Sequence, residues 1–127
     1  MKISVVIATL HRENDLQILL ESFLHQIIKP FEIIIVDQSD NDNTKNLCND
    51  YQYKLPLKYH HFSIKSTTTT RNFGVKQAKG DVIAFLDDDT KLMPDYLYHI
   101  EEFYKEYPNA IGGMGKILNP NPMADRL

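Results

Sequence analysis

The chain has 127 residues, 43% of them hydrophobic and 24% charged, with a formal net charge of −3. This size and balance suit one globular domain with a proper core, and the acidic excess excludes a broad basic surface for nucleic acid or an anionic membrane. Cys48 is the sole cysteine, so an intrachain disulfide is excluded and the residue reads as a small core side chain.

Ile3 to Thr9 is apolar and β-branched, which predicts a first strand followed by the loop Leu10 to Asn14. This apolar start is too short for a membrane span and runs into His11-Arg12-Glu13 without a small-residue cleavage site. No stretch reaches the length of a transmembrane segment, so the expected location is cytoplasmic, with peripheral membrane association left open. Leu16, Leu19, Leu20, Phe23, Leu24 and Ile27 recur at helical spacing behind a cap at Asn14 or Asp15, and Pro30 stops the helix. Glu32 to Val36 predicts a second strand ending in Asp37-Gln38-Ser39-Asp40. Asp42 or Asn43 starts a weaker helix to about Tyr51, and Leu57 to Phe62 predicts a more amphipathic strand near an edge.

Ser63 to Thr70, with its threonine run, reads as a flexible loop before a short helix over about 69–79, with Gly80 as a left-handed terminator. Val82 to Leu86 is a continuous apolar run and predicts a strand buried on both faces, ended by Asp87-Asp88-Asp89. Pro94 suits a first helical turn, and Leu97, Ile100, Tyr104 and Tyr107 give the following helix its stripe. Ala110 to Ile117, with Gly112, Gly113 and Gly115, predicts a bent strand. The pattern predicts a three-layer α/β/α sandwich with a mainly parallel sheet over residues 1–117 and a loose tail over 118–127.

Ligands of open parallel sheets sit beyond the strand carboxyl ends, where this chain places its acids. Three adjacent carboxylates repel one another by about 1 kcal/mol per pair even in water, so the cluster favours a hard divalent cation that keeps water and phosphate oxygens in its shell. In an extended backbone Asp87 and Asp89 would project to one side and Asp88 to the other. His60 and His61 lack metal-ligand spacing and read as strand-surface residues.

Four blocks, Ser4 to Thr9, Glu32 to Asp37, Arg71-Asn72-Phe73-Gly74 with Ala78 to Asp81, and Phe85 to Asp89 with Met93-Pro94, resemble the nucleotide-sugar half of glycosyltransferase family 2, of the GT-A fold type. The resemblance implies a nucleotide-diphospho-sugar ligand, with Thr9, Arg12, Asp37, Gln38, Arg71, Asn72, Asp87 and Asp88 as its contacts. It also implies an Asp-x-Asp signature in which Asp89, with Asp87, holds Mg²⁺ or Mn²⁺. The catalytic base and acceptor site are expected beyond residue 127, and the acceptor is open between glycan, lipid and protein. An apolar surface left by a missing acceptor half would favour homo-oligomers. Two departures stand out: Ala8-Thr9 replaces the usual Pro-Thr, and Gln38 replaces a second carboxylate often paired with uracil, leaving uridine, thymidine and guanosine donors open. The alternatives are a haloacid-dehalogenase-like phosphohydrolase, with Asp87 as nucleophile, and a non-catalytic interaction domain that keeps the fold.

Overall fold

A computed structural model describes residues 1–113 of the chain. Its elements run β1 (Ile3–Thr9), α1 (Glu13–Leu24), β2 (Glu32–Asp37), α2 (Asn43–Tyr51), β3 (Leu57–His61), α3 (Thr67–Gln77), β4 (Val82–Asp87) and α4 (Tyr96–Glu106). The four strands form one parallel sheet in the order β3-β2-β1-β4. The chain therefore winds outward from β1 to β3, then returns across the sheet to β4.

Alternation along the strands separates two cores. Ile3, Val5 and Ile7 of β1 and Ile33 and Ile35 of β2 pack with Leu16, Leu19, Leu20 and Phe23 of α1, Cys48 and Tyr51 of α2, and Leu97 of α4. Val6, Ile34 and Val36 point the other way and pack with Phe62 and with Phe73 and Ala78 on the α3 side. These are the three layers expected. Among the described residues no helix is long and apolar enough to cross a membrane.

Several local expectations are corrected. Helix α1 begins at Glu13 with Arg12 in the cap position, rather than at Asn14 or Asp15, and it ends at Leu24. The chain beyond it leaves the helix to clasp the approach to α4. Gln26 donates to the Met93 carbonyl at 2.6 Å and accepts from the Leu97 N–H at 3.1 Å, while Ile27 N–H donates to the Pro94 carbonyl at 2.9 Å. Ile27 is left 68% exposed. Pro94 lies just ahead of α4, whose cap position is Asp95. Strand β4 is not buried on both faces: it pairs only with β1 among the described residues, and Phe85 is exposed. Ala110 to Gly113 form no strand, and the rest of that expected strand, like the tail, lies outside the described residues.

The threonine run is helix, not loop. Ser66 caps α3 by accepting from the Thr69 N–H, and Thr70 is buried with its hydroxyl donating to the Ser66 carbonyl at 2.6 Å. Two glycines let this crossover lie close to the sheet. A Cβ at Gly74 would stand 2.4 Å from Val6 Cγ1, and one at Gly80 would stand 2.5 Å from Ser4 Oγ and 2.7 Å from the Lys2 carbonyl oxygen. Gly80 has no positive φ, so close approach, not a left-handed turn, is what excludes a side chain there.

At the N-terminal end of the sheet Glu32 is buried, yet fully engaged. It accepts from Ser4 Oγ at 2.6 Å, from Lys58 Nζ at 2.8 Å and from the Lys79 N–H at 2.6 Å. Burial acts to raise its pKa, but these bonds and the Lys58 charge outweigh it and hold the group down to about 2, from an ordinary 4.5. A carboxyl lowered in this way adds stability above its unfolded value and loses it as pH falls towards the folded one. Acid titration followed by circular dichroism should therefore show a stability decline between pH 4.5 and about 2 that is shallower in Glu32→Gln. A second expectation concerns packing: Gly74→Ala should cost about 1–3 kcal/mol in urea unfolding, because Val6 is stiff at Cβ. Adding Val6→Ala should cost less than the two single changes summed, since the second opens the space the first needs.

Candidate functional site

The strand order reverses between β1 and β4, and the register makes the carboxyl ends level. Thr9 lies opposite Asp37, Asp37 opposite His61, and Ala8 opposite Asp87. Asp88 thus arrives beside Thr9. A cleft of about 400 Å³ opens there, lined by Ala8, Thr9, Leu10, Arg12, Gln38, Lys65, Thr67, Arg71, Leu86, Asp87 and Asp88. It occupies the switch point, where the chain leaves adjacent strands in opposite directions and no connection crosses.

The acidic triplet divides by face. Asp87 ends β4 on the α3 side, where its Oδ1 lies 3.4 Å from Arg71 Nη2. Asp88 turns to the α1 side and is buried; it accepts from Thr9 Oγ1 at 2.9 Å and lies 3.7 Å from Arg12 Nη1. Asp89 follows it towards Arg12, at 3.8 Å, and stays exposed. The expected pairing of Asp87 with Asp89 on one side is corrected accordingly: the strand ends at Asp87, so alternation does not continue to Asp89. Burial raises the pKa of Asp88, against the pull of the Thr9 hydroxyl and the Arg12 charge, with neighbouring Asp89 and Asp15 adding to the rise.

Asp37 underlies the cleft instead of lining it. It is fully buried, with Oδ1 accepting from the Ser39 N–H at 2.9 Å and Oδ2 from the Tyr59 hydroxyl at 2.6 Å. Burial followed by that bond raises the Tyr59 pKa, so the phenol remains a donor. The backbone N–H of Gln38 donates to the Thr9 carbonyl at 2.9 Å, which brings Gln38 to the cleft wall. Asn72 is exposed on α3, away from the lining, and neither it nor Arg71 caps the helix, which starts at Thr67. Phe73 packs on Phe62 and His60, at 5.0 and 5.3 Å between ring centroids. His61 bonds the Ser39 carbonyl oxygen at 2.9 Å. Both histidines thus make contacts within the fold from β3.

Several contributors are absent from the sequence reading. Lys65 lines the cleft and pairs with Asp40 at 3.0 Å, and Thr67 stands at the first position of α3. His11 takes a left-handed φ of 52°, held by its N–H donating to Ser39 Oγ at 2.8 Å and by its ring near Asp40. Such a conformation costs on the order of 1–3 kcal/mol and persists only when the surroundings enforce it. Ser39 and Tyr59 carried no local signal, because their partners lie across the sheet.

A cation can be tested against this donor set. The carboxylates of Asp87, Asp88 and Asp89 are hard oxygen donors, but among the described residues no three acidic, histidine or cysteine side chains are grouped to hold a metal. A divalent ion placed here would have to take most of its shell from water and from a ligand's own oxygens, since the described side chains form no cage.

The family model described as glycosyl transferase family 2 matches residues 4–121. The chain belongs to glycosyltransferase family 2. Its relatives in this family include the uncharacterized glycosyltransferase YwdF of Bacillus subtilis, 38% identical over 111 residues, covering 87% of this chain and 40% of YwdF. Poly(ribitol-phosphate) beta-N-acetylglucosaminyltransferase TarS of Staphylococcus aureus is 31% identical over 115 residues, covering 87% of this chain and 20% of TarS. The crystal structure of TarS 1–349 in complex with UDP-GlcNAc matches with a TM-score of 0.78 at 27% identity, over 91% of this chain and 38% of that one. This family 2 chain thus spans well under half the length of these relatives.

Within the family 2 site, Asp88 is the residue whose burial works against its charge. Replacing it with Asn should raise the thermal midpoint at neutral pH, where the wild-type carboxyl is ionised at a cost. Since its folded pKa is raised, that advantage should shrink as pH falls through the ordinary carboxylate range, a trend that scanning calorimetry at several pH values would follow.

Proposed function

We propose that this chain is the donor-binding part of a family 2 glycosyltransferase, taking a nucleotide-diphospho-sugar in the cleft between β1 and β4 for transfer to an acceptor. The observation that carries the reading is the convergence of Thr9, Gln38, Arg12, Arg71, Asp87 and Asp88, drawn from four separate segments, on one cleft at the switch point. The UDP-GlcNAc complex of TarS, a protein of the same family and fold, supports the ligand class. Family membership leaves the phosphohydrolase reading of Asp87 without support. It also weighs against a non-catalytic domain, because a merely structural role gives no reason to gather opposite charges around an open cleft.

In this reading Arg12 and Arg71 meet the diphosphate, since guanidinium groups present forked donors to phosphate oxygens. Each is already held by a carboxylate, Arg12 by Asp88 and Asp89 and Arg71 by Asp87, so each is positioned before the ligand arrives. Thr9 and Asp88 form the floor beside the nucleoside, and Asp37 acts as a positioning residue that fixes the Gln38 turn. Asp89, exposed and on the Arg12 side away from Asp87, would hold Mg²⁺ or Mn²⁺ together with the diphosphate oxygens, and the ion would supply Lewis-acid stabilisation of the departing nucleoside diphosphate. Rate then follows from how well the site accommodates charge that grows on the leaving group, more than from contacts to the resting sugar.

Calorimetric titration with UDP, GDP and dTDP sugars, with and without Mn²⁺, tests this directly. At least one donor should bind, more tightly with the ion, and Asp89→Ala should remove the increment due to Mn²⁺ while Arg71→Ala weakens binding by about tenfold. Absence of any metal-dependent heat with all three donors would defeat the proposal.

A further inference from the structure

Arg12 reaches the cleft from a loop whose shape is set at a distance. The residue before it, His11, holds a left-handed φ of 52°, a conformation that side chains keep only where their surroundings enforce it. Two contacts enforce it here, and both come from the turn after β2. The His11 N–H donates to Ser39 Oγ at 2.8 Å, and the His11 ring accepts from the Asp40 N–H at 3.4 Å.

That turn is held in its own place from β3, at the edge of the described sheet. The Ser39 N–H donates to Asp37 Oδ1 at 2.9 Å, and the Ser39 carbonyl accepts from His61 Nε2 at 2.9 Å. Asp37 is fully buried, and among the described residues its second oxygen accepts only from the Tyr59 hydroxyl, at 2.6 Å. Hydrogen bonds to a carboxylate are short and strong, whereas a buried carboxylate oxygen that loses its donor turns towards another or takes up a proton. Either response disturbs the bond from the Ser39 N–H. Three hydrogen bonds of 2.6, 2.9 and 2.8 Å thus link Tyr59 to Asp37, Asp37 to Ser39 and Ser39 to His11, and His11 is covalently joined to Arg12.

Resting on the nucleotide reading above, we propose that Tyr59 is a positioning residue for donor binding, acting through Asp37 and Ser39 to keep His11 bent and the Arg12 guanidinium at the diphosphate. Tyr59, Ser39 and His11 are all absent from the cleft lining, so none of them has a direct route to the ligand. The Arg12 side chain is 54% exposed, and its carboxylate partners lie 3.7 and 3.8 Å away, beyond the range of a good hydrogen bond. Those pairs orient the guanidinium, but how far it reaches is left to the backbone that carries it.

Calorimetric titration of UDP, GDP and dTDP, each with Mn²⁺, into the wild-type protein identifies the tightest nucleotide, which is then titrated into Tyr59→Phe, Arg12→Ala and the double variant. Tyr59→Phe should weaken binding by about fivefold alone and by less than about twofold where Arg12 is already Ala, because both changes remove one contact. Glu32→Gln releases bonds at the opposite end of the sheet and should leave the affinity within about twofold, which separates positioning from lost stability. Where Tyr59→Phe fails to fold, Ser39→Ala replaces it in the same cycle with the same expectation, since it removes the acceptor of the His11 N–H. A loss of under about twofold in the single variant, a loss above that in the Arg12→Ala background, or an equal loss in Glu32→Gln overturns this proposal alone. Failure of the wild-type protein to bind any of the three nucleotides removes the nucleotide reading of the cleft, and this proposal with it.

Discussion

The hydrogen bond from Thr9 to Asp88 closes the molecule's central seam. It joins the carboxyl ends of two strands 79 positions apart, at the one place in the sheet where consecutive windings part. Parallel pairing of β1 with β4 can occur only after α3 has carried the chain back across β2 and β1, and α3 can lie that close only because Gly74 faces Val6 without a side chain. The cleft is thus a by-product of winding direction. Its chemistry depends on a register that sets Thr9, Asp37 and Asp88 level, and a slip of one residue would turn each of these to the opposite face.

Around this seam the charges are arranged in opposed pairs. Arg12 faces Asp88 and Asp89, Arg71 faces Asp87, and Lys65 faces Asp40. Most of these groups are exposed, and such pairs contribute little to stability in water. Their effect is positional: each cation is held at the cleft by its carboxylate partner. Asp40 illustrates the balance, since Lys65 first and His11 second hold its carboxyl below the usual range.

How much of this could be read from residues alone depended on the range of the forces involved. The strands β1 and β2 were legible because four consecutive apolar, mostly β-branched residues in each admit few alternatives, and the acids at the ends of β2 and β4 followed from strand direction. Beyond that, local signals misled wherever a distant partner decided. The threonines at 67–70 have poor helix propensity, yet the Ser66 cap and the burial of Thr70 against the sheet overrule it. Gly80 resembled a helix terminator, but the backbone of Lys2 and the side chain of Ser4, nearly eighty residues away, set its requirement. Asp37 carried no sign of its partner: Tyr59, on the neighbouring strand β3, donates to its Oδ2 beneath the cleft. Lys65 gave no pattern at all, because its role comes from where α3 begins in space.

The two ends of the sheet make the strongest physical argument for where function lies. At the amino end Glu32 is buried, but Ser4, Lys58 and the Lys79 N–H satisfy it, and its pKa moves down. The outcome is a stable ionised group that locks the α3 to β4 connection onto β1 and β2. At the carboxyl end Asp88 is also buried, with one hydroxyl and the Arg12 guanidinium at 3.7 Å for company, and its pKa moves up; beside it lie the Gln38 amide, without a partner among the described residues, and the left-handed His11. The same sheet therefore shows that this sequence can satisfy a buried carboxylate fully when stability is the only demand. Leaving three neighbouring groups under-satisfied or strained at the other end is a local cost that folding alone does not explain, and a polar ligand completing those bonds does.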